Sequence, residues 1–326
     1  MKTKLLYVLV SGPEDVYLEQ AYVSAYSARK HNPDACIILL TDSVTADGWL
    51  KTHPMGPAFS ALFTDTVVAD LDALMPAMQR SRMLKTGMRE YVQGDFLFID
   101  ADTVVARPLD DIDAVPADLA AAPDLHCPFA SHPHRQPTIN MCGKLGYDPS
   151  HDEWYYNSGV LLVRDTPGNH AFFLRWQKNY LEGLKKGIRP DQPSLAKTNA
   201  DGRMTRLPDV WNCEVQNGVR YLREAYIVHY MVTNLAGGKL DRLYLLNSCE
   251  VLLRMREAGS LTDEIRKVVE DPFKGYAPLT QVFAGEEVYF FRTRRYKWMR
   301  QRFFEGKPSL LEFLLKVKDH LLPCRK

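Results

Sequence analysis

Two aspartates, Asp100 and Asp102, stand one residue apart at the end of the apolar run Phe96–Ile99 in FLFIDADTVV. Carboxylates so placed offer hard oxygen ligands to a divalent cation, and such a cation can hold a diphosphate. Burying both charges is costly unless something compensates them. The spacing alone says little: 25 aspartates among 326 residues produce roughly two such pairs by chance. The chain holds three, the others being Asp70/Asp72 and Asp111/Asp113. Asp70/Asp72 lies in a polar setting where helix capping or exposure suffices, and LDDID around Asp111 reads as a solvated loop. Only Asp100/Asp102 ends a buried-strand pattern; an Asx turn plus a helix cap is the bland reading of the same stretch.

Other residues could share that chemistry. SRMLKTGMREYV places Arg82 and Lys85 three apart, on one side of a helix. In YYNSGVLLV, Asn157 and Ser158 precede a glycine, where a ligand can approach the backbone closely. Asp191-Gln192-Pro193 sets an acid and an amide in a turn, and His229 ends another short apolar run. Taken singly, each has an ordinary structural reading: exposed basic helix, turn glycine, helix cap, satisfied core histidine.

The elements that must position these residues alternate in α/β fashion. Strand-like LLYVLV leads through the loop SGPED to a helix over about 17–31, stopped by Asn32-Pro33. CIILLTD is a second strand, a weak third lies around 63–69, and a helix over about 71–92 leads into FLFID. This order predicts a mostly parallel sheet covered on both faces, with ligands beyond the carboxyl ends of its strands. Residues 123–153, rich in proline and histidine, read as a long loop region. A strand from Tyr155, a helix over about 169–184 and short runs at LPDVWNC and IVHYM follow.

Composition is that of a soluble globular protein, with 46% hydrophobic and 25% charged residues. The net charge of +1 argues against wholesale nucleic-acid binding, but it hides an asymmetry: residues 287–326 carry eleven Lys/Arg against four Asp/Glu. There VYFFRTRRYKWMRQRFF interleaves aromatic with basic residues, and PSLLEFLLKVKDHLL follows with helical periodicity. Such a tail is either an ordinary half-buried helix or an interfacial anchor meeting anionic lipid. No nucleic-acid recognition motif accompanies it. Six scattered cysteines without CxxC read as free thiols in a reducing compartment. The apolar run Leu5–Val10 is short for a signal peptide, and no run approaches a membrane span. Neither GxGxxG nor a P-loop follows an early strand, which disfavours an oxidoreductase.

In this order, SRMLKT, FLFIDADTVV, YYNSGVLLV, DQPSL, WNC and VHY resemble the family-8 glycosyltransferases of GT-A fold, the group of glycogenin and the bacterial lipopolysaccharide galactosyl- and glucosyltransferases. The resemblance covers about residues 4–230. It implies that Asp100, Asp102 and His229 bind Mn²⁺ (or Mg²⁺), a set in which one imidazole suits manganese. It implies that Tyr17 stacks on the nucleobase of a UDP-sugar, and that Arg82 and Lys85 face its phosphates or sugar. It implies that Ser11, Ala101 and Ser158 belong to the same donor site. Asn157, Asp191 and Gln192 are implied at the sugar, with Gln192 near the anomeric carbon. The chain departs from the family after His229, where HYMVTNLAGGKLDRL lacks a Lys-Pro-Trp and leaves Lys239 as the candidate phosphate contact.

The resulting expectation is an α/β enzyme with a GT-A catalytic domain over 1–245 and a helical, basic, membrane-facing extension over 246–326. It would be cytoplasmic and peripheral on the inner face of the cell membrane. It would move a hexose, galactose or glucose, from a UDP-sugar to a glycan or lipid-linked saccharide, with retention of configuration. A sugar-1-phosphate nucleotidyltransferase and a non-catalytic scaffold of the same fold are the rivals. The glycine-rich basic loop of the former is missing from SGPEDVYLEQ.

Overall fold

The computed structural model describes residues 1–215, 217–231, 245–272, 293–299 and 301–302. The chain forms two compact units, 1–281 and 282–326. In the first, strands β1 (Lys4–Leu9), β2 (Ile37–Asp42), β3 (Asp65–Ala69), β4 (Phe96–Ile99), β6 (Leu119–Pro123), β7 (Tyr156–Val163) and β8 (Thr205–Arg206) build a seven-stranded sheet ordered β3-β2-β1-β4-β7-β6-β8. The first four are parallel, whereas β7 runs antiparallel to both β4 and β6. A second sheet, ordered β5-β10-β9, joins β5 (Thr103–Val105), β9 (Cys213–Glu214) and β10 (Ile227–His229).

The helices are α1 (Tyr17–His31), α2 (Leu50–Thr52), α3 (Gly56–Ser60), α4 (Ala77–Tyr91), α5 (Arg135–Lys144), α6 (Pro167–Lys185), α7 (Gln192–Thr198), α8 (Cys249–Ala258) and α9 (Asp263–Glu270). Side chains alternate across the sheet, so its strands feed two cores. Leu5, Tyr7, Leu9, Leu97 and Ile99 pack with α1, α8 and α9 residues such as Leu18, Leu252 and Ile265. Leu6, Phe96, Phe98 and Leu161 pack with Leu84 and Met88 of α4 and Trp176 of α6. Helices on both faces explain why the strands read as unbroken apolar runs. Helices α8 and α9, which lie beyond residue 245, belong to this first unit. In the second, helix α10 (Arg294–Met299) exposes Trp298 and Met299. The remainder of the basic aromatic tail and the leucine-rich stretch after it lie outside the described residues. No described helix is long and apolar enough to cross a membrane.

Two sequence expectations are corrected. The helix expected from about 71 starts at Ala77: Pro76 precedes its first turn, and the Asp72 carboxylate accepts the Leu74 amide (2.9 Å) in a turn that holds 70–76 out of the helix. The stretch 123–153, read as loop, contains α5, whose Pro137 falls in the first turn where no amide is needed.

Candidate active site

Asp100-Ala101-Asp102 is the crossing between the two sheets. Strand β4 ends at Ile99 in the large sheet and β5 starts at Thr103 in the small one. The Asp100 amide donates to Gly159 O of β7 (2.8 Å), and the Tyr230 amide donates to Asp102 O (2.9 Å). Because β10 pairs with β5 so that His229 faces Thr103, the imidazole arrives beside both carboxylates. One ligand atom from each of Asp100, Asp102 and His229 lies within 4.8 Å of the others. His229 Nδ1 lies 2.8 Å from Asn212 Oδ1, and Nε2 lies 3.2 Å from Asp102 Oδ1. Since an amide oxygen can only accept, Nδ1 carries a proton there, and a neutral ring presents its Nε2 lone pair to the carboxylates. Two carboxylates and one imidazole so oriented fit a divalent cation.

Gly159 explains the glycine of NSG. A Cβ at that position would lie 2.4 Å from His229 Cε1, 2.9 Å from Asn157 Oδ1 and 3.0 Å from Asp100 Oδ2. The backbone of β7 therefore forms the floor of the centre.

Positive charge reaches the carboxylates from α4. Lys85, only 3% exposed, donates to both Asp100 oxygens at 3.1 and 3.0 Å and lies 3.6 Å from Asp191 Oδ2. Arg82 Nε is 3.3 Å from Asp191 Oδ1, and Ser158 Oγ donates to Asp191 Oδ2 at 2.8 Å. Burial alone would raise the Asp191 pKa, but Lys85, Arg82 and Ser158 hold it well below the usual carboxylate range. Burial raises Asp100, with Lys85 opposing and Asp102 adding to the rise. His229 is raised despite its burial, through the adjacent carboxylates Asp102 and Asp100.

A second hub, Asp124 at the end of β6, went unseen in the sequence. Its Oδ1 accepts from Asn157 Nδ2 (2.8 Å) and Gln192 Nε2 (3.0 Å), and its Oδ2 meets His132 Nε2 at 2.9 Å. The His134 amide donates to His132 Nδ1 (3.1 Å), so a neutral His132 carries its proton on Nε2, toward Asp124. Burial would raise Asp124, yet these donors hold it low. Leu125 and His126 follow with φ of 56° and 55°, a region that non-glycine residues rarely occupy. Glu214 secures that turn, its carboxylate oxygens 3.1 and 3.0 Å from the Leu125 amide and its own amide donating to His126 Nε2 at 2.9 Å. Asn212 joins the hubs: its Nδ2 donates to Asn157 Oδ1 (3.0 Å) while its Oδ1 meets His229. Asp124 could have been found only as a carboxylate after the apolar run LAAAP, and Asn212 only as a polar residue inside the apolar WNC turn.

Beside this centre opens a cleft lined by the end of β1 (Val8, Leu9, Val10), by Asp15, Tyr17 and Gln20, by α4 residues including Met78, Ser81 and Arg82, and by Asp100, Ala101 and Asp102. Tyr17 is 43% exposed at its wall. Of the residues expected at the site, Tyr17, Arg82, Ala101, Asp100 and Asp102 line the cleft. Lys85, Asn157, Ser158, Asp191, Gln192 and His229 form the hydrogen-bonded wall behind it. Ser11 is buried, its hydroxyl donating at 2.6 Å to Oδ1 of Asp15, itself a lining residue. Lys239 lies outside the described residues.

No protein-family model matches the chain, and no curated protein matches it by sequence. Solved structures do match its fold. One is a galactosyltransferase, LgtC, in complex with donor and acceptor sugar analogs, with a TM-score of 0.53 at 16% identity, covering 81% of this chain and 99% of that one. An active-site mutant of LgtC matches with a TM-score of 0.51 at 16% identity, covering 81% and 99%. The chain thus has the GT-A glycosyltransferase fold, a mostly parallel sheet flanked by helices.

Proposed function

We propose that the chain is a metal-dependent glycosyltransferase of the family-8 type, moving galactose or glucose from a UDP-sugar to a glycan acceptor with retention of configuration. The observation that carries this reading is the convergence of Asp100, Asp102 and His229 beside a cleft on a GT-A scaffold. Bound to those three side chains, Mn²⁺ (or Mg²⁺) would supply charge stabilisation for a departing nucleoside diphosphate. Tyr17 offers a ring for the base, and Arg82, at the cleft wall, adds positive charge where phosphate oxygens gain charge. Lys85 holds Asp100 and Asp191 in place, and Asp191 is set to accept from sugar hydroxyls.

Gln192 donates its amide N–H groups to Asp124 Oδ1 (3.0 Å) and Tyr156 O (3.4 Å). That leaves its carbonyl oxygen as the end to face the anomeric carbon, where partial negative charge stabilises an oxocarbenium-like state. Both carboxylates nearest the sugar side are held by donors, Asp191 by Ser158 and its two cationic neighbours and Asp124 by Asn157, Gln192 and His132. Neither is a free nucleophile, which supports attack by the acceptor hydroxyl on the leaving-group face over double displacement.

The acceptor we infer is a lipid-linked saccharide of a bacterial surface polysaccharide, reached from the cytoplasmic face of the membrane. Its support is the basic, aromatic composition of residues 287–326. A panel of nucleotide-sugars with Mn²⁺, scored for binding and slow hydrolysis, tests the donor class. UDP-sugars alone should bind, and Asp100→Ala or Asp102→Ala should abolish turnover with the fold intact. Full activity of either variant, or in excess chelator, would overturn the reading, while pyrophosphate release from a nucleoside triphosphate would favour the nucleotidyltransferase.

A further inference from the structure

The loop between β1 and α1 supplies Asp15 and Tyr17 to the cleft, and it is clamped from the far end of the chain. Arg256 of α8 donates through Nη1 to Pro13 O at 2.9 Å and through Nη2 to Asp15 O, while its Nε bonds the Glu19 carboxylate. The guanidinium lies 5.0 Å from the centre of the Trp49 ring. Glu19 is fully buried, and the same oxygen meets His53 Nε2 at 2.8 Å. Burial would raise Glu19, yet His53 and Arg256 hold it low.

The segment before α8 repeats the pattern. Gln20, another cleft residue, donates to Leu246 O at 3.1 Å, and Asn247 donates to Tyr230 O at 2.9 Å, next to His229. Residues 246–256 therefore touch both the loop that lines the cleft and the backbone beside His229. From inside, the Asp15 carboxylate gathers the Ser11 hydroxyl (2.6 Å) and the Gly12 and Tyr17 amides (2.9 and 3.1 Å), so the loop is a closed knot whose carbonyls point outward to Arg256. Binding two carbonyls and a carboxylate while lying on an indole needs the planar donor fork of arginine. Docking α8 on α1 needs none of it. The other arginine of α8, Arg254, lies two residues away on a different face and makes exposed pairs with Glu250 and Glu264.

We propose that Arg256 is a positioning residue of the donor site, setting the β1–α1 loop so that Asp15 and Tyr17 meet the nucleotide base. The proposal rests on the reading of the cleft as a nucleotide-sugar site. It makes donor affinity depend on a helix outside the nucleotide-binding sheet.

Two variants of the full chain separate positioning from stability. Arg256→Lys keeps a charge for Glu19 but loses the fork, and the double variant Glu19→Gln/Arg256→Met removes both buried charges together. Thermal midpoint, hydrogen exchange of amides 11–18 and UDP affinity in Mn²⁺ are measured on each. In both variants the loop amides should exchange faster and UDP should bind about tenfold more weakly, with turnover at saturating donor within about threefold of wild type. That pattern should hold even where the thermal midpoint stays near that of wild type. Wild-type exchange and UDP affinity in the two variants would reduce Arg256 to a structural role and overturn this inference alone. A wild-type chain that binds no UDP overturns the donor reading and this inference together.

Discussion

Replacing Asn212 by leucine should weaken manganese binding without unfolding the protein. Asn212 is fully buried and serves two masters, accepting from His229 Nδ1 at 2.8 Å and donating to Asn157 Oδ1 at 3.0 Å. Leucine keeps the branched shape of the side chain, with bulkier methyl ends, but offers no acceptor. The imidazole then loses the bond that keeps the Nδ1 proton in place and Nε2 turned to Asp102. Outer partners of metal-bound histidines are worth about 10- to 100-fold in affinity, or about 1.4–2.8 kcal/mol. Calorimetric titration with Mn²⁺ measures this directly, alongside a thermal melt. Asn212→Asp supplies the contrast. It still accepts from His229 Nδ1, so metal affinity should match or exceed wild type. Its second oxygen, however, faces Asn157 Oδ1, and flipping Asn157 only moves the conflict to Asp124 Oδ1, 2.8 Å from Asn157 Nδ2. Sugar transfer should therefore fall while metal is held. Wild-type Mn²⁺ affinity in Asn212→Leu, or equal losses of affinity in both variants, would refute the reasoning.

Gly159→Ala forces a methyl group to within 2.4 Å of His229 Cε1 and 3.0 Å of Asp100 Oδ2. It should cost about 1–3 kcal/mol of stability by overpacking and remove most Mn²⁺ binding; wild-type values in denaturant and metal titrations would show that β7 does not floor the centre. Asp191 is buried, which would raise its pKa, but Lys85, Arg82 and Ser158 hold it below the ordinary 3.8. Its folded value lies below its unfolded one, so its stabilisation is complete above the unfolded value and is lost as pH falls through the folded value. Asp191→Asn should thus cost about 3 kcal/mol near neutral pH, and the gap to wild type should narrow as the pH drops below about 4. Melts across that range giving a constant gap would refute the assignment.

The elements were legible where burial wrote a simple pattern. LLYVLV, CIILLTD and FLFID form β1, β2 and β4, and α1 spans Tyr17–His31 as its Asn-Pro stop suggested. The antiparallel entry of β7 was not legible, because an apolar strand covered on both faces carries no mark of its direction. Asp100 and Asp102 were singled out by the strand before them, and the other two pairs proved structural. Asp72 closes a turn on Leu74, and Asp113 binds the Thr3 amide and hydroxyl at 2.9 and 2.6 Å. Asp124 and Asn212 stayed hidden, since they act through partners 33 and 17 residues away in the chain. A contact made by tertiary packing leaves no local spacing to read.

The fold also sharpens the problem that FLFIDADTVV poses. Two carboxylates at the end of a buried strand need compensating positive charge, and the protein supplies charge of its own. Lys85 approaches Asp100 from α4 on the large sheet, and His229 approaches Asp102 from β10 in the small one. The pair is tolerable because it sits at the junction of two sheets, each bringing one basic group from its own side. Lys85 also lies 3.6 Å from Asp191, so a single buried ammonium joins Asp100, a carboxylate proposed for the metal, to the carboxylate proposed for the sugar. This sharing accounts for the spacing of Arg82 and Lys85: one turn of α4 lets the arginine meet Asp191 from the cleft while the lysine reaches both acids from behind. A metal bound between the sheets would then enter a site already held in shape, with little reorganisation left for the reacting complex.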